Sequence, residues 1–151
     1  MTSADYVIRP ARLGDVEQLT VLLGDLFTME SDFAPDPVAQ RKGLAALLRE
    51  GDVKLLVAEA NDRVIGMCSA QLLVSTAQGG VVALVEDVIV VKDRRGQGIG
   101  RTLLKALERW ALDEGASRLQ LVADKDNAEA MAFYGRLGWK KTNLVVFRKM
   151  L

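Results

Sequence analysis

Histidine is absent from this 151-residue chain, and cysteine occurs once, as Cys68. Without histidine, the Ser-His and Cys-His catalytic pairs lack their base, and zinc and haem sites lack their commonest ligand. A single thiol forms no intrachain disulfide, and no metal is expected. Proline occurs 3 times and aromatic residues make up 5%, which excludes a proline-rich linker and a stacking platform for single-stranded nucleic acid. An excess of either charge is missing too. The 20 Lys+Arg and 20 Asp+Glu give a formal net charge of +0, so no positive field draws a phosphate backbone and no nucleic-acid partner is expected. No apolar run approaches the roughly 20 residues that cross a bilayer. The opening MTSADYVIRP has neither the basic start nor the apolar centre of a secretory signal. The expectation is a cytoplasmic protein without a membrane partner.

What is present suits one hydrophobic core: 50% hydrophobic and 26% charged residues over a length that favours a single domain, 1–151. Tyr6 to Arg9 alternates like a short strand ended by Pro10. From Val16, the positions Leu19, Leu22, Leu23, Leu26 and Phe27 recur at helical spacing, so their stripe should face a sheet. Thr28 to Pro37 reads as a loop. Asp36-Pro37 then has the chemistry of an N-cap followed by proline at the first helical position, and this second helix should run to about Gly51. Lys54 to Glu59, Val64 to Val74 and Val81 to Val91 form an antiparallel meander, joined by Asn61-Asp62 and Gly79-Gly80. A helix from about Gly98 to Glu114, with Ile99, Leu103, Leu107 and Trp110 on one side, leads to a strand at Arg118 to Ala123, and such a crossover implies parallel neighbours. Asn127 to Leu137 predicts a further helix, and Trp139 to Lys149 one or two terminal strands.

The most informative segment joins the strand Val85-Glu86-Asp87-Val88-Ile89-Val90-Val91 to the helix at Ile99 through Arg95-Gly96-Gln97-Gly98-Ile99-Gly100-Arg101. Glycines here let the backbone turn tightly and bring N–H groups close to a ligand, while the unpaired amides and positive dipole end of the new helix attract anions. A phosphate or pyrophosphate is the expected ligand, although a ligand-free strand-to-helix turn also accepts such glycines. Spacing discriminates among phosphate loops. A P-loop needs Gly-Lys-Ser/Thr where Gly100-Arg101-Thr102 stands, and a dinucleotide fingerprint needs glycine at position 101 or 103, where Arg101 and Leu103 stand.

The pattern that fits is Arg95-x-x-Gly98-x-Gly100, placed after a meander. With it, the chain resembles the GNAT superfamily of acyl-CoA-dependent N-acetyltransferases. The resemblance extends over nearly the whole chain, from Ile8-Arg9-Pro10-Ala11 to Asn127 and Phe133-Tyr134-Gly135-Arg136-Leu137-Gly138-Trp139. It implies a single-domain α/β fold: a mixed, mostly antiparallel sheet of six to seven strands flanked by about four helices. It also implies acetyl-CoA as cosubstrate, with the backbone from Arg95 to Arg101 (Arg95, Gly96, Gln97, Gly98, Ile99, Gly100, Arg101) on the pyrophosphate, the strand at Val88, Ile89 and Val90 on the pantetheine arm, and Asn127 on the cofactor. Asn127 also has the plain reading of a helix N-cap.

An amine of pKa about 10 is protonated at neutral pH, so its acetylation needs a base. Glu86 is the candidate: it lies between Leu84 and Val88 on one face of an otherwise apolar strand, where burial would raise its proton affinity, and the resemblance places a general base there. Its alternative role is a structural carboxylate where the sheet splays. Alternation turns Asp87 to the opposite face, as a structural residue. The resemblance makes Tyr134 the acid that protonates the departing thiolate; packing beside Phe133 is the alternative. Glu30 and Asp32, in the loop between the first two helices, are the candidate acceptor-binding carboxylates. The layout, with Leu84 to Asp87, is similar to diamine acetyltransferases and implies a small-molecule primary amine as acceptor. Protein N-termini or lysines are the alternative acceptors, and a non-catalytic acyl-CoA sensor is the alternative class. Cys68 reads as core filling. Val145-Val146-Phe147 could supply the edge of a homodimer or complete the core.

Overall fold

The computed structural model describes residues 5–30 and 32–151. The start of the N-terminal segment and Ser31, within the loop expected between the first two helices, lie outside the described residues. Two compact units are present, Met1–Leu121 and Val122–Leu151.

The first unit carries strands β1 (Val7–Pro10), β2 (Val53–Ala60), β3 (Arg63–Ser75), β4 (Gly80–Val90) and β5 (Leu119–Leu121), with helices α1 (Val16–Met29), α2 (Pro37–Leu47) and α3 (Ile99–Asp113). The sheet order is β1-β2-β3-β4-β5. The first four strands pair antiparallel and β5 joins β4 in parallel, as the α3 crossover requires. The β2–β3 turn holds Asn61 and Asp62 at φ 50 and 62, the mirror-image turn whose twist suits a tight hairpin. Pro10 is tolerated inside β1 because β1 is an edge strand.

The two faces of the sheet are read from β3. Alternate residues point to opposite sides. Met67 joins Leu19, Leu22, Leu23 and Leu44 of α1 and α2, together with Leu55, Val57, Val64 and Ile89, in one buried cluster. On the other side, the Cys68 thiol lies 3.7 Å from the Leu103 carbonyl of α3. Gly66 lets α3 approach closely there, since a Cβ at this position would lie 3.1 Å from Leu103 Cδ1 and 3.3 Å from the Ile89 carbonyl. The helical stripes seen in the sequence therefore do face the sheet.

Three expectations need correction. The sheet has five strands among the described residues, not six or seven. Residues 139–151 form no strand, a state that needs a partner's backbone to meet its amides and carbonyls. Helix α2 ends at Leu47 instead of near Gly51: the amides of Arg49 and Glu50 turn back to the carbonyls of Ala46 and Leu47, tightening the last turn into 3₁₀ geometry.

The second unit holds α4 (Ala128–Arg136). The Asn127 side chain accepts from the Ala130 N–H at 3.0 Å, and Gly138, at φ 87, follows the helix.

Candidate functional site

The sequence rises from β4 through a 3₁₀ turn at Lys92–Arg94 into the glycine run. Gly96 and Gly98 lie at φ 75 and 82, and Gly98 is the N-cap of α3. That left-handed conformation is where a side chain is strained even with open space beyond it. The glycine cap also leaves α3 without a capping side chain. By contrast, Asp36 accepts from the Ala39 N–H at α2, and Asn127 caps α4. The N–H groups at the start of α3, on Ile99, Gly100 and Arg101, have no carbonyl within the helix to meet, so they face outward with the positive end of the helix dipole.

The turn is held by its own side chains. Arg95 Nε donates to the Val90 carbonyl at 2.8 Å, tying the turn back to the end of β4. Arg94 Nε donates to Gln97 Oε1 at 2.9 Å, and Arg63 grips Asp93 with two bonds of 3.0 and 3.2 Å. The side chains of Arg95 and Gln97 thus shape the loop. An uncapped helix start behind two left-handed glycines fits an acyl carrier's pyrophosphate.

The strand before the turn is split from its neighbour. Parallel pairing of β4 with β5 covers Ala83 to Val85 and stops there, so on that side the β4 backbone from Glu86 to Val90 meets no strand among the described residues. An extended, amide-bearing ligand can hydrogen-bond to such an edge. Of the three expected contacts, Ile89 turns its side chain into the α1-facing core, while Val88 and Val90 are half-buried.

At the same point β4 contains one residue too many. Met67 pairs with Ile89 and Ser69 with Glu86, so both Asp87 and Val88 stand opposite Cys68. Asp87 takes up the surplus at φ 55, a left-handed conformation that aspartate tolerates better than most residues. This bulge overturns the strict alternation expected from the sequence. Glu86 is exposed instead of buried, and Asp87 is half-buried. Burial pushes the Asp87 carboxyl up to about 6, and the charges of Glu86 and Glu30 push in the same direction. The structure therefore brings Glu30, at the end of α1, into one acidic group with Glu86 and Asp87. Asp32 is exposed in the following loop. Alternation hid Asp87 from sequence reasoning; two adjacent carboxylates in an otherwise apolar strand were the signal that could have marked a bulge.

In the second unit, the half-buried Tyr134 ring packs edge-on against Phe133 and Trp139, with centroids 5.2 and 5.8 Å away. Asn127 is an N-cap, as its plain reading held. Cys68 is fully buried and its thiol is pushed up to about 12 by burial, which suits core filling.

A family model for the acetyltransferase (GNAT) family matches residues 17–139. Aminoalkylphosphonate N-acetyltransferase of Salmonella typhimurium is 29% identical over 136 residues, covering 90% of this chain and 86% of that protein. Among solved structures, a transcriptional regulator from Bacillus halodurans superposes with a TM-score of 0.84 at 29% identity, over 96% of this chain and 99% of the other. An aminoglycoside N-acetyltransferase in complex with CoA shares the fold, with a TM-score of 0.82 at 20% identity, over 96% of this chain and 94% of the other. No helix among the described residues is long and apolar enough to cross a membrane.

Proposed function

The chain belongs to the acetyltransferase (GNAT) family and is an N-acetyltransferase, and from that premise we propose that it acetylates the primary amine of a small cationic molecule by direct transfer from acetyl-CoA in a ternary complex. The observation that carries the reading is the uncapped α3 start at left-handed Gly98, set beside the unpaired edge of β4. Acetyl-CoA supplies the activated thioester. The backbone from Arg95 to Arg101 holds its pyrophosphate, and the β4 edge at Val88 to Val90 aligns its arm. With both reactants fixed, the protein's contribution is orientation and the handling of protons.

Proton removal falls to the carboxylate pair at the bulge. Glu86 is the exposed member and meets the incoming ammonium directly or through water. Asp87, with a proton affinity near 6, is the member best matched to a base working close to neutral pH. Glu30 adds a third carboxylate to the group at the end of α1, which suits a cationic acceptor. Asp32 extends the acidic loop. A relative matched over 90% of this chain is named for an aminoalkylphosphonate, which supports a small amine over a protein as acceptor. Following the family resemblance, Tyr134 is the acid for the leaving thiolate and Asn127 a cofactor contact. Val145-Val146-Phe147, exposed in the described chain, serve as the edge of a homodimer, which light scattering of the purified protein checks.

The test is thiol release from acetyl-CoA across a panel of diamines, aminoalkyl compounds, aminoglycosides and peptides. Release with a small polycationic amine is the expected result. Release with peptides alone moves the assignment to protein acetylation, and tight CoA binding with no release from any acceptor overturns the small-amine reading.

A further inference from the structure

The residues entering β1 touch the glycine turn from both sides. Asp5 lies 2.6 Å from Arg94, just before the glycines, and the Tyr6 hydroxyl lies 3.0 Å from Thr102 Oγ1, in the first turn of α3 beyond them. The Thr102 hydroxyl is in turn 3.0 Å from the Gly98 carbonyl. A carbonyl only accepts, so the single proton of Thr102 goes to Gly98, and Tyr6 must be the donor to Thr102. The result is a directed chain: Tyr6 O–H to Thr102 Oγ1, and Thr102 O–H to the Gly98 carbonyl.

That carbonyl also accepts the Thr102 N–H at 3.0 Å. No peptide bond among the described residues is cis, and in a trans peptide the C=O and the next N–H point in opposite directions. Fixing the Gly98 carbonyl toward the body of α3 therefore aims the Ile99 N–H outward, at the place assigned to the pyrophosphate. The Gly98 peptide is the one that needs such fixing, because a glycine at φ 82 lacks the Cβ that would restrict its rotation. Hydrogen bonds placed on the carbonyl also polarise the amide and make its N–H a better donor. Threonine alone does this incompletely, since its hydroxyl has two accessible rotamers in a helix; the bond from Tyr6 selects one.

We propose that Tyr6 is a positioning residue for acyl-carrier binding, acting through Thr102 to hold the Gly98–Ile99 peptide with its N–H turned toward the pyrophosphate. The inference rests on the carrier site assigned above. Tyr6→Phe removes one hydroxyl and leaves the ring. It is expected to weaken CoA binding in calorimetry about threefold to tenfold, the usual effect of one hydrogen bond. The loss should lie in KM for acetyl-CoA and not in kcat, and KM for acetyl-pantetheine, which has no pyrophosphate, should not move. Thr102→Val should reproduce the loss, Thr102→Ser should restore it, and Tyr6→Phe with Thr102→Val should be no weaker than Thr102→Val alone. Tyr6→Phe binding CoA as tightly as the parent overturns the proposal, as does an equal loss for acetyl-pantetheine or full additivity in the double variant. A parent protein that takes up no CoA overturns the carrier site itself, which separates the two failures.

Discussion

Arg9 holds Asp15 at both carboxylate oxygens, Nη1 to Oδ2 and Nη2 to Oδ1, each at 2.8 Å, while its Nε reaches Glu59 at 2.7 Å. One guanidinium thereby fastens β1 to the start of α1 and to β2. The hydrogen bonds from Arg9 hold the Asp15 carboxyl below the usual carboxylate range against the opposing effect of burial. Removing the cation leaves Asp15 with only the Arg12 N–H and Glu59 with only the distant Arg12 guanidinium, so Arg9→Met should lower unfolding stability at neutral pH by about 3 kcal/mol. The carboxylate's share is fully present above the unfolded value of about 3.9 and is lost as pH falls through the lower folded value. Urea unfolding between pH 7 and pH 2 should accordingly show a steeper acid loss in the parent than in the variant.

Asp87 carries the opposite sign. The folded chain keeps its proton up to about 6, whereas the ordinary value is 3.8, so the folded state binds more protons between those values and stability falls as pH rises through that window. Asp87→Asn should raise stability at pH 8 by about 2 kcal/mol, leave it little changed near pH 3, and reduce turnover. Thermal melts across pH measure the first two effects. The kcat/KM profile measures the third: loss of a limb near pH 6 in Asp87→Asn, but not in Glu86→Gln, assigns that limb to Asp87.

Gly98→Ala places a Cβ in open space but forces alanine to φ 82. The expected cost is about 1 to 2 kcal/mol of stability, together with weaker CoA binding as the N-cap shifts. Gly43→Ala is the control: it lies inside α2 at an ordinary backbone angle, also with open space around it, and should stabilise by up to about 1 kcal/mol and leave CoA binding untouched.

The buried Cys68 thiol, pushed up to about 12, should resist a thiol reagent in the folded enzyme at pH 8 and react fully in denaturant. Cys68→Ala should keep turnover and lose about 1 to 2 kcal/mol of stability through the small cavity it leaves. Labelling of the native protein at the rate of a free thiol would contradict the burial.

Local patterns of the sequence determined much of this protein. The 3.6-residue spacing of Leu19, Leu22 and Leu23 predicts α1, Asp36 before Pro37 predicts the α2 cap, Asn61-Asp62 predicts the hairpin, and glycine at 96 and 98 predicts the tight turn into α3. Each follows from interactions between residues a few positions apart, which a sequence displays directly. Tertiary structure decided what depends on a partner strand or on distant residues. Whether 139–151 forms a strand rests on another backbone, and pairing with β3 created the bulge that exposed Glu86 and drew in Asp87. Only folding brings Glu30 to Asp87 across 57 positions of sequence, or Tyr6 to Thr102 across 96. Charge repulsion and hydrogen bonding depend on separation in space, which chain spacing does not encode.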